Sequence, residues 1–250
     1  MRTASILGAE TCRLGAVPEA LTRVYYAAVT ERSEQRRIVR FLRAAGATSD
    51  WRILDVACGY GRNLEAMRDA GLAPVGVEIN PEIVARVRER GFTCHLPGDA
   101  AIAEVQWDAM VMSHIIEYFD HRGLLEFMDG YLAHLRDGGC LVIAAPMLDR
   151  AFYEDFDHVK PYNPHAIGQF FGSSGRQVQG HAQSELELLD VWFHRRPFLF
   201  RFYRSLIVRR SSPLRVLLAG ANVGFRLLHA ATFGLVGLRR DWVGLYRKVG

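Results

Sequence analysis

The chain has 250 residues, half of them apolar, and a net charge of +4. That length supports one well-buried α/β domain with an elaboration. Its four cysteines (Cys12, Cys58, Cys94, Cys140) are scattered without a C-x-x-C pair, which argues against a disulfide framework or a metal site and predicts a reduced, cytoplasmic protein. No basic-then-apolar leader opens the sequence, so secretion is not expected. The charge is uneven: residues 191–240 hold ten arginines and no acid, so the rest of the chain is net negative.

Residues 1–50 read as a helical cap, with Val24, Ile38, Phe41 and Leu42 as an apolar stripe and Arg32, Arg36, Arg37 and Arg40 on the wet side. The core, 51–194, opens on Arg52–Asn63 (RILDVACGYGRN). An apolar run containing Asp55 meets a Gly59-Tyr60-Gly61 turn and then a helix-compatible stretch. Strand, glycine loop and helix in this order open a nucleotide-binding βαβ unit, where a missing Cβ lets backbone approach a ligand. A dinucleotide fingerprint would need a small residue where Leu64 stands, and Asp55 suits an ammonium better than a diphosphate. A nicotinamide-dependent oxidoreductase is therefore the weaker reading.

LDVACGYG resembles motif I of the class I S-adenosylmethionine-dependent methyltransferases, with Ala57 where that motif usually has Gly. The resemblance runs through about Val142. It implies that Asp55, Ala57, Gly59 and Gly61 hold the methionine part of S-adenosyl-L-methionine. It also implies that Val24-Tyr25-Tyr26 belongs to a helix closing over the cofactor; the residues alone fit a tyrosine pair packed on the sheet edge equally well.

A second short strand, 73–79, ends in Glu78, and Asn80-Pro81 starts a helix. An acid at this place can accept from both ribose hydroxyls; otherwise Glu78 is a solvated helix-start acid. A third strand, 91–96, precedes Pro97-Gly98-Asp99-Ala100, where the resemblance puts Asp99 and Ala100 at the adenine edge, and where Asp is also an ordinary turn residue. The fourth strand, Trp107–Ser113, is apolar almost throughout, as a strand buried on both faces should be. It runs into His114, in a turn the resemblance places beside the transferable methyl. An amphipathic helix over 124–135, closed by Asp137-Gly138-Gly139, and a fifth strand over 140–145 follow.

Beyond Pro146 the aromatic, acidic stretch 152–162 (FYEDFDHVKPY) contains His158, the first candidate base for a hydroxyl acceptor, with Asp155 or Asp157 to orient it; His114 is the second. DHVKPY also resembles a segment of bacterial methyltransferases acting on sugars and surface-polymer intermediates. The other histidines show no metal-ligand spacing.

A sixth strand ends near 191–193, and 241–250 form the seventh. Between them, 195–240 is a basic, apolar helical insertion: Phe198, Phe200, Phe202, Tyr203 and Ile207 interleave with arginine, then 213–238 is strongly apolar. No run reaches the roughly 20 apolar residues needed to span a bilayer. Interfacial helices on an anionic membrane surface fit this composition. A substrate cap or dimer surface also fits, and RNA fits less well because of the Leu/Val/Ala/Gly run.

The expectation is a single α/β domain with a doubly wound, mostly parallel seven-stranded, Rossmann-like methyltransferase sheet. Its expected activity is O-methylation of an amphiphilic or membrane-associated acceptor, such as a lipid-linked sugar, a glycan end or a quinone-like ring. The protein would be cytoplasmic and peripheral at the inner face of the membrane. The rival is a non-catalytic membrane- or RNA-docking module on the same scaffold.

Overall fold

A computed structural model of the chain describes residues 33–149, 152–172, 182–200 and 213–250. Val24, Tyr25, Tyr26 and Arg32 of the expected cap, and Phe202, Tyr203 and Ile207 of the insertion, lie outside the described residues. The elements run α1 (Ser33–Ala44), β1 (Ile53–Val56), α2 (Arg62–Asp69), β2 (Pro74–Val77), α3 (Pro81–Glu89), β3 (Cys94–His95), α4 (Ala100–Ala103) and β4 (Trp107–Ser113). After them come α5 (His121–Leu132), β5 (Leu135–Pro146), α6 (Pro164–Phe171), β6 (Glu185–Arg196), α7 (Leu214–Ala231) and β7 (Leu238–Val249).

Seven strands form one sheet in the order β3-β2-β1-β4-β5-β7-β6. The first five are parallel, and β7 inserts antiparallel between β5 and β6. Chain direction across the sheet reverses between β1 and β4, so the crevice at their carboxyl ends is where an open α/β sheet holds a ligand.

Strand alternation splits the core in two. Leu54, Val56, Met110, Met112, Leu141 and Ile143 point to the face covered by α5 and α6, with Leu124, Met128 and Ile167 among the contacts. Ile53, Ala109, Val111, Val142 and Val243 point to the opposite face, under Ile38, Phe41 and Leu42 of α1 and Leu64 and Met67 of α2. Residues 34–50, assigned by periodicity to a cap, therefore help build the core. Asn80 caps α3 by accepting from the Glu82 N–H, with Pro81 at the first helical position, as the sequence predicts.

Three boundaries differ from expectation. The predicted helix over 124–135 is α5, which starts at the Asp120 cap and stops at Leu132. Buried Leu135 pairs with Trp107 and Cys140 pairs with Ala109, so Asp137-Gly138-Gly139 bulges out of β5 and does not close a helix. Strand β3 shrinks to two residues at the sheet edge. The insertion narrows at both ends: Arg195 pairs with Arg239 and Arg196 with Leu238, because the β6–β7 ladder satisfies their backbone groups.

Gly76 on β2 faces Cys58 of the glycine loop. A Cβ there would lie 2.7 Å from Cys58 Sγ and 3.0 Å from Leu64 Cδ1. Gly76→Ala is expected to cost about 1–3 kcal/mol through overpacking. Thermal denaturation checks it: the midpoint should fall by several degrees, about 2–4 °C per kcal/mol, and an unchanged midpoint would contradict this packing.

Candidate active site

Asp55, the third residue of β1, is completely buried. Its Oδ1 accepts from Asn63 Nδ2 at 3.4 Å, while Asp55 Oδ2 and Asn63 Oδ1 have no hydrogen-bond partner among the described residues. Burial pushes the carboxyl up to about 7, and the Asn63 bond pulls only partly back. A half-satisfied buried acid is costly unless a donor or a cation completes it.

The loop after β1 passes through the left-handed region at Ala57 (φ 58°), Gly59 (φ 50°) and Gly61 (φ 78°). Ala57 lacks glycine's freedom and accepts a cost of about 1–2 kcal/mol there. At Gly59 a Cβ would meet nothing within 4 Å among the described residues, so the loop presents bare backbone there. Gly61 begins α2.

Glu78, just past β2, is 8% exposed and ties the loop to the neighbouring strand. Its Oε2 accepts from the Gly59 N–H and its Oε1 from the Asn80 N–H, both at 3.0 Å. Each oxygen keeps a lone pair for a further donor. Asp99 stands past the end of the next strand, with its carboxylate engaged locally. Oδ1 caps α4 through the Ala101 N–H at 3.0 Å, and Oδ2 lies 2.8 Å from His95 Nδ1. The His95 bond, then the Ala101 bond, hold it below the usual carboxylate range. Asp99 and Gly98 border a cavity of about 240 Å³ lined also by Phe127 and Tyr131 of α5, while Ala100 begins α4. The structure thus joins Asp55, Ala57, Gly59, Gly61 and Glu78 in one hydrogen-bonded loop region; Asp99 and Ala100 stand one strand further out.

Across the crevice, β4 ends at Ser113 and His114 takes a left-handed φ of 53°. Its Nδ1 lies 3.3 Å from Glu117 Oε1 and its Nε2 3.0 Å from Glu34 Oε2, and Ser113 donates to Glu34 Oε1 at 3.1 Å. Burial pulls the ring's pKa down, but the bonds to Glu117 and Glu34 outweigh it and raise the value well above 6.5. The stability this arrangement contributes is full below 6.5 and is lost as pH rises through the raised value. Imidazole NMR should therefore show His114 protonated at neutral pH, and Glu34→Gln should lower its titration midpoint. A neutral ring at pH 7 in the unaltered protein would overturn this assignment. Glu117 is itself buried, and its Oε2 has no partner among the described residues.

His158 is built differently. The Val159 and Lys160 N–H groups both donate to the Glu117 carbonyl. Tyr162 OH donates to the Phe119 carbonyl at 3.1 Å, and Trp242 Nε1 donates to the Tyr162 carbonyl at 2.8 Å. These bonds strap 158–162 over the turn that carries His114. His158 Nδ1 lies 2.8 Å from the Phe152 carbonyl, which can only accept, so this nitrogen bears the proton. Nε2 is left with its lone pair, 3.7 Å from Asp155 Oδ2. Tyr118 packs edge-on against the ring at 5.2 Å between centroids.

Sequence pattern singled out neither Asn63, Glu34 and Glu117 nor the buried pair of His194 Nδ1 and Asp241 Oδ2, 3.0 Å apart. Glu34 and the His194–Asp241 pair meet partners 80 and 47 positions away, whereas Asn63 and Glu117 lie 8 and 3 residues from theirs and carried a local signal.

A family model described as a methyltransferase domain matches residues 28–190. Curated proteins give no match. Among solved structures, a SAM dependent methyltransferase from Archaeoglobus fulgidus is 18% identical with a TM-score of 0.50, covering 92% of this chain and 99% of its own. N-methyltransferase NodS from Bradyrhizobium japonicum, in complex with S-adenosyl-L-homocysteine, is 13% identical with a TM-score of 0.53, covering 92% and 96%. An S-adenosylmethionine-dependent methyltransferase from Clostridium acetobutylicum is 14% identical with a TM-score of 0.51, covering 93% and 99%. At these identities the likeness concerns the fold, and it agrees with the family match, which spans more than half of the chain. With the sheet, the glycine loop and the half-satisfied Asp55 in place, the chain belongs to the methyltransferase-domain family and has the fold of the S-adenosylmethionine-dependent enzymes.

Proposed function

We propose that this S-adenosylmethionine-dependent methyltransferase methylates a hydroxyl of an amphiphilic acceptor, such as a lipid-linked sugar, a glycan end or a quinone-like ring, with His158 as the base. The observation that carries the base assignment is the Phe152 carbonyl on His158 Nδ1, which leaves Nε2 able to accept a proton. Asp155, 3.7 Å from Nε2, favours the imidazolium that results.

The residues present fit the cofactor. Asp55 Oδ2, buried without a partner among the described residues, offers an acceptor to the cofactor's ammonium group, and the open backbone at Gly59 leaves room for its methionine part. The remaining lone pairs of Glu78 serve the ribose hydroxyls, and Asp99 with Ala100 serves the adenine edge. When bound, the cofactor supplies an electrophilic methyl group on a sulfonium, and the protein's task is to align the acceptor and remove its proton.

On the acceptor side Glu117 and Glu34 take both His114 nitrogens, so the ring positions these carboxylates beside the acceptor and has no free nitrogen to take its proton. The unpartnered Oε2 of Glu117 suits a second hydroxyl on the same molecule, which favours a polyol-like acceptor. Methyl-labelled cofactor incubated with lipid and glycan extracts tests the proposal. Label should enter an amphiphilic, hydroxyl-bearing fraction, and label found only on amines would overturn the acceptor class.

A further inference from the structure

Helix α7 is packed inside out. Polar Asn222 and His229 face the protein: the Asn222 amide accepts from the Phe200 N–H at 2.7 Å and donates to its carbonyl at 3.2 Å. His229 Nδ1 donates to the Val236 carbonyl at 2.7 Å, and Phe225 packs against Phe198 and Phe200. The opposite side of the helix presents Leu217, Val223 and Leu227 to solvent, with Leu217 and Leu227 each about two-thirds exposed. Exposed Arg226 lies at the edge of this stripe.

The turn after α7 is as unusual. Phe233 is 96% exposed and sits at φ 50°, a conformation costly for an aromatic residue. It is held there by the Gly234 N–H on the His229 carbonyl and the Val236 N–H on Thr232 Oγ1. Leu235 beside it is 72% exposed. A strained, hydrogen-bonded turn that offers a bare phenyl ring to solvent costs stability unless something covers it.

We propose that α7 and its Phe233–Leu235 turn form a docking surface for an anionic lipid membrane, lying in the interface with the apolar side chains among the acyl chains. Charge selects this occupant. Helix α7 carries Arg215 and Arg226 and no acid. A second copy meeting this helix across a two-fold axis would set arginine against arginine with no acid on the helix to answer it. Anionic headgroups satisfy the arginines while acyl chains take Leu217, Leu227 and Phe233. Among the described residues no helix is long and apolar enough to cross a membrane, so the helix lies on the surface and does not span it. The surface is independent of which hydroxyl is methylated.

Sedimentation of the full chain with vesicles of phosphatidylcholine alone, or mixed with phosphatidylglycerol, tests the proposal. Binding should require phosphatidylglycerol and weaken with salt. Arg226→Gln should lower partitioning about fivefold, the equivalent of about 1 kcal/mol per basic residue. The Leu217→Ser/Leu227→Ser double variant should lower it more than tenfold. All these side chains are exposed, so cofactor binding by calorimetry should stay unchanged and show that each variant folds. Equal binding to both vesicle types, or to neither, would overturn the proposal. So would a dimeric mass in sedimentation without lipid that the double variant abolishes, because a second copy would then own the surface.

Discussion

Glu78→Ala is expected to weaken cofactor binding about a hundredfold or more. Two effects add in the same direction. Hydrogen bonds from the ribose hydroxyls to a carboxylate contribute about 1.5–3 kcal/mol each, and every 1.4 kcal/mol is a factor of about ten. The variant also frees the Gly59 and Asn80 N–H groups, which both donate to Glu78 at 3.0 Å. The glycine loop then loses its tie to β2, and its left-handed backbone has less to hold it. Glu78→Gln should not rescue the loss fully, because an amide can accept on only one side, while both backbone partners are donors. Calorimetry with S-adenosylmethionine measures the effect, and a denaturation midpoint measured alongside separates lost binding from lost fold. A dissociation constant within about threefold of the unaltered protein would remove Glu78 from the site.

The second large effect concerns His158. His158→Gln is expected to lower turnover about 10²–10⁴-fold, the usual contribution of a positioned base, and to leave cofactor affinity unchanged. Its ring belongs to the strap over the β4 turn, and none of its hydrogen bonds involves the Asp55–Glu78 loop. His114→Gln should behave differently. Both its ring nitrogens are taken by Glu117 and Glu34, so its loss should raise KM for the acceptor more than it lowers turnover. If the two variants exchange these patterns, the roles of the two histidines are reversed.

Much of the cofactor side could be read from local pattern. Asp55, Gly59, Gly61 and Glu78 announce themselves because a strand ending in an acid, a glycine turn and a proline-started helix are written within a few residues of one another. The short apolar strands are similarly legible, since burial on both faces leaves little room for polar residues. Where the pattern misled, a long-range contact had taken over. Asp137-Gly138-Gly139 has the composition of a helix C-cap, yet the pairing of Leu135 with Trp107 and of Cys140 with Ala109 draws it into a bulge. The arginines at 195, 196, 239 and 240 have the composition of an insertion, yet the β6–β7 ladder takes them into the strands.

By itself, then, the order of residues determined the family, the sheet and the glycine loop after β1, because these depend on backbone conformations that neighbouring residues dictate. The tertiary structure alone decided which chemistry each polar group can perform. Asp55 is half-satisfied only because burial denies it water. His158 keeps a free lone pair only because the Phe152 carbonyl claims its other nitrogen. His114 has both ring nitrogens engaged only because Glu34, from a helix 80 positions earlier, closes on it together with Glu117. Helix α7 turns its leucines outward only because Asn222 finds its partner in the Phe200 backbone. Protonation and exposure are set by groups that meet in space, and spacing along the chain does not encode those meetings.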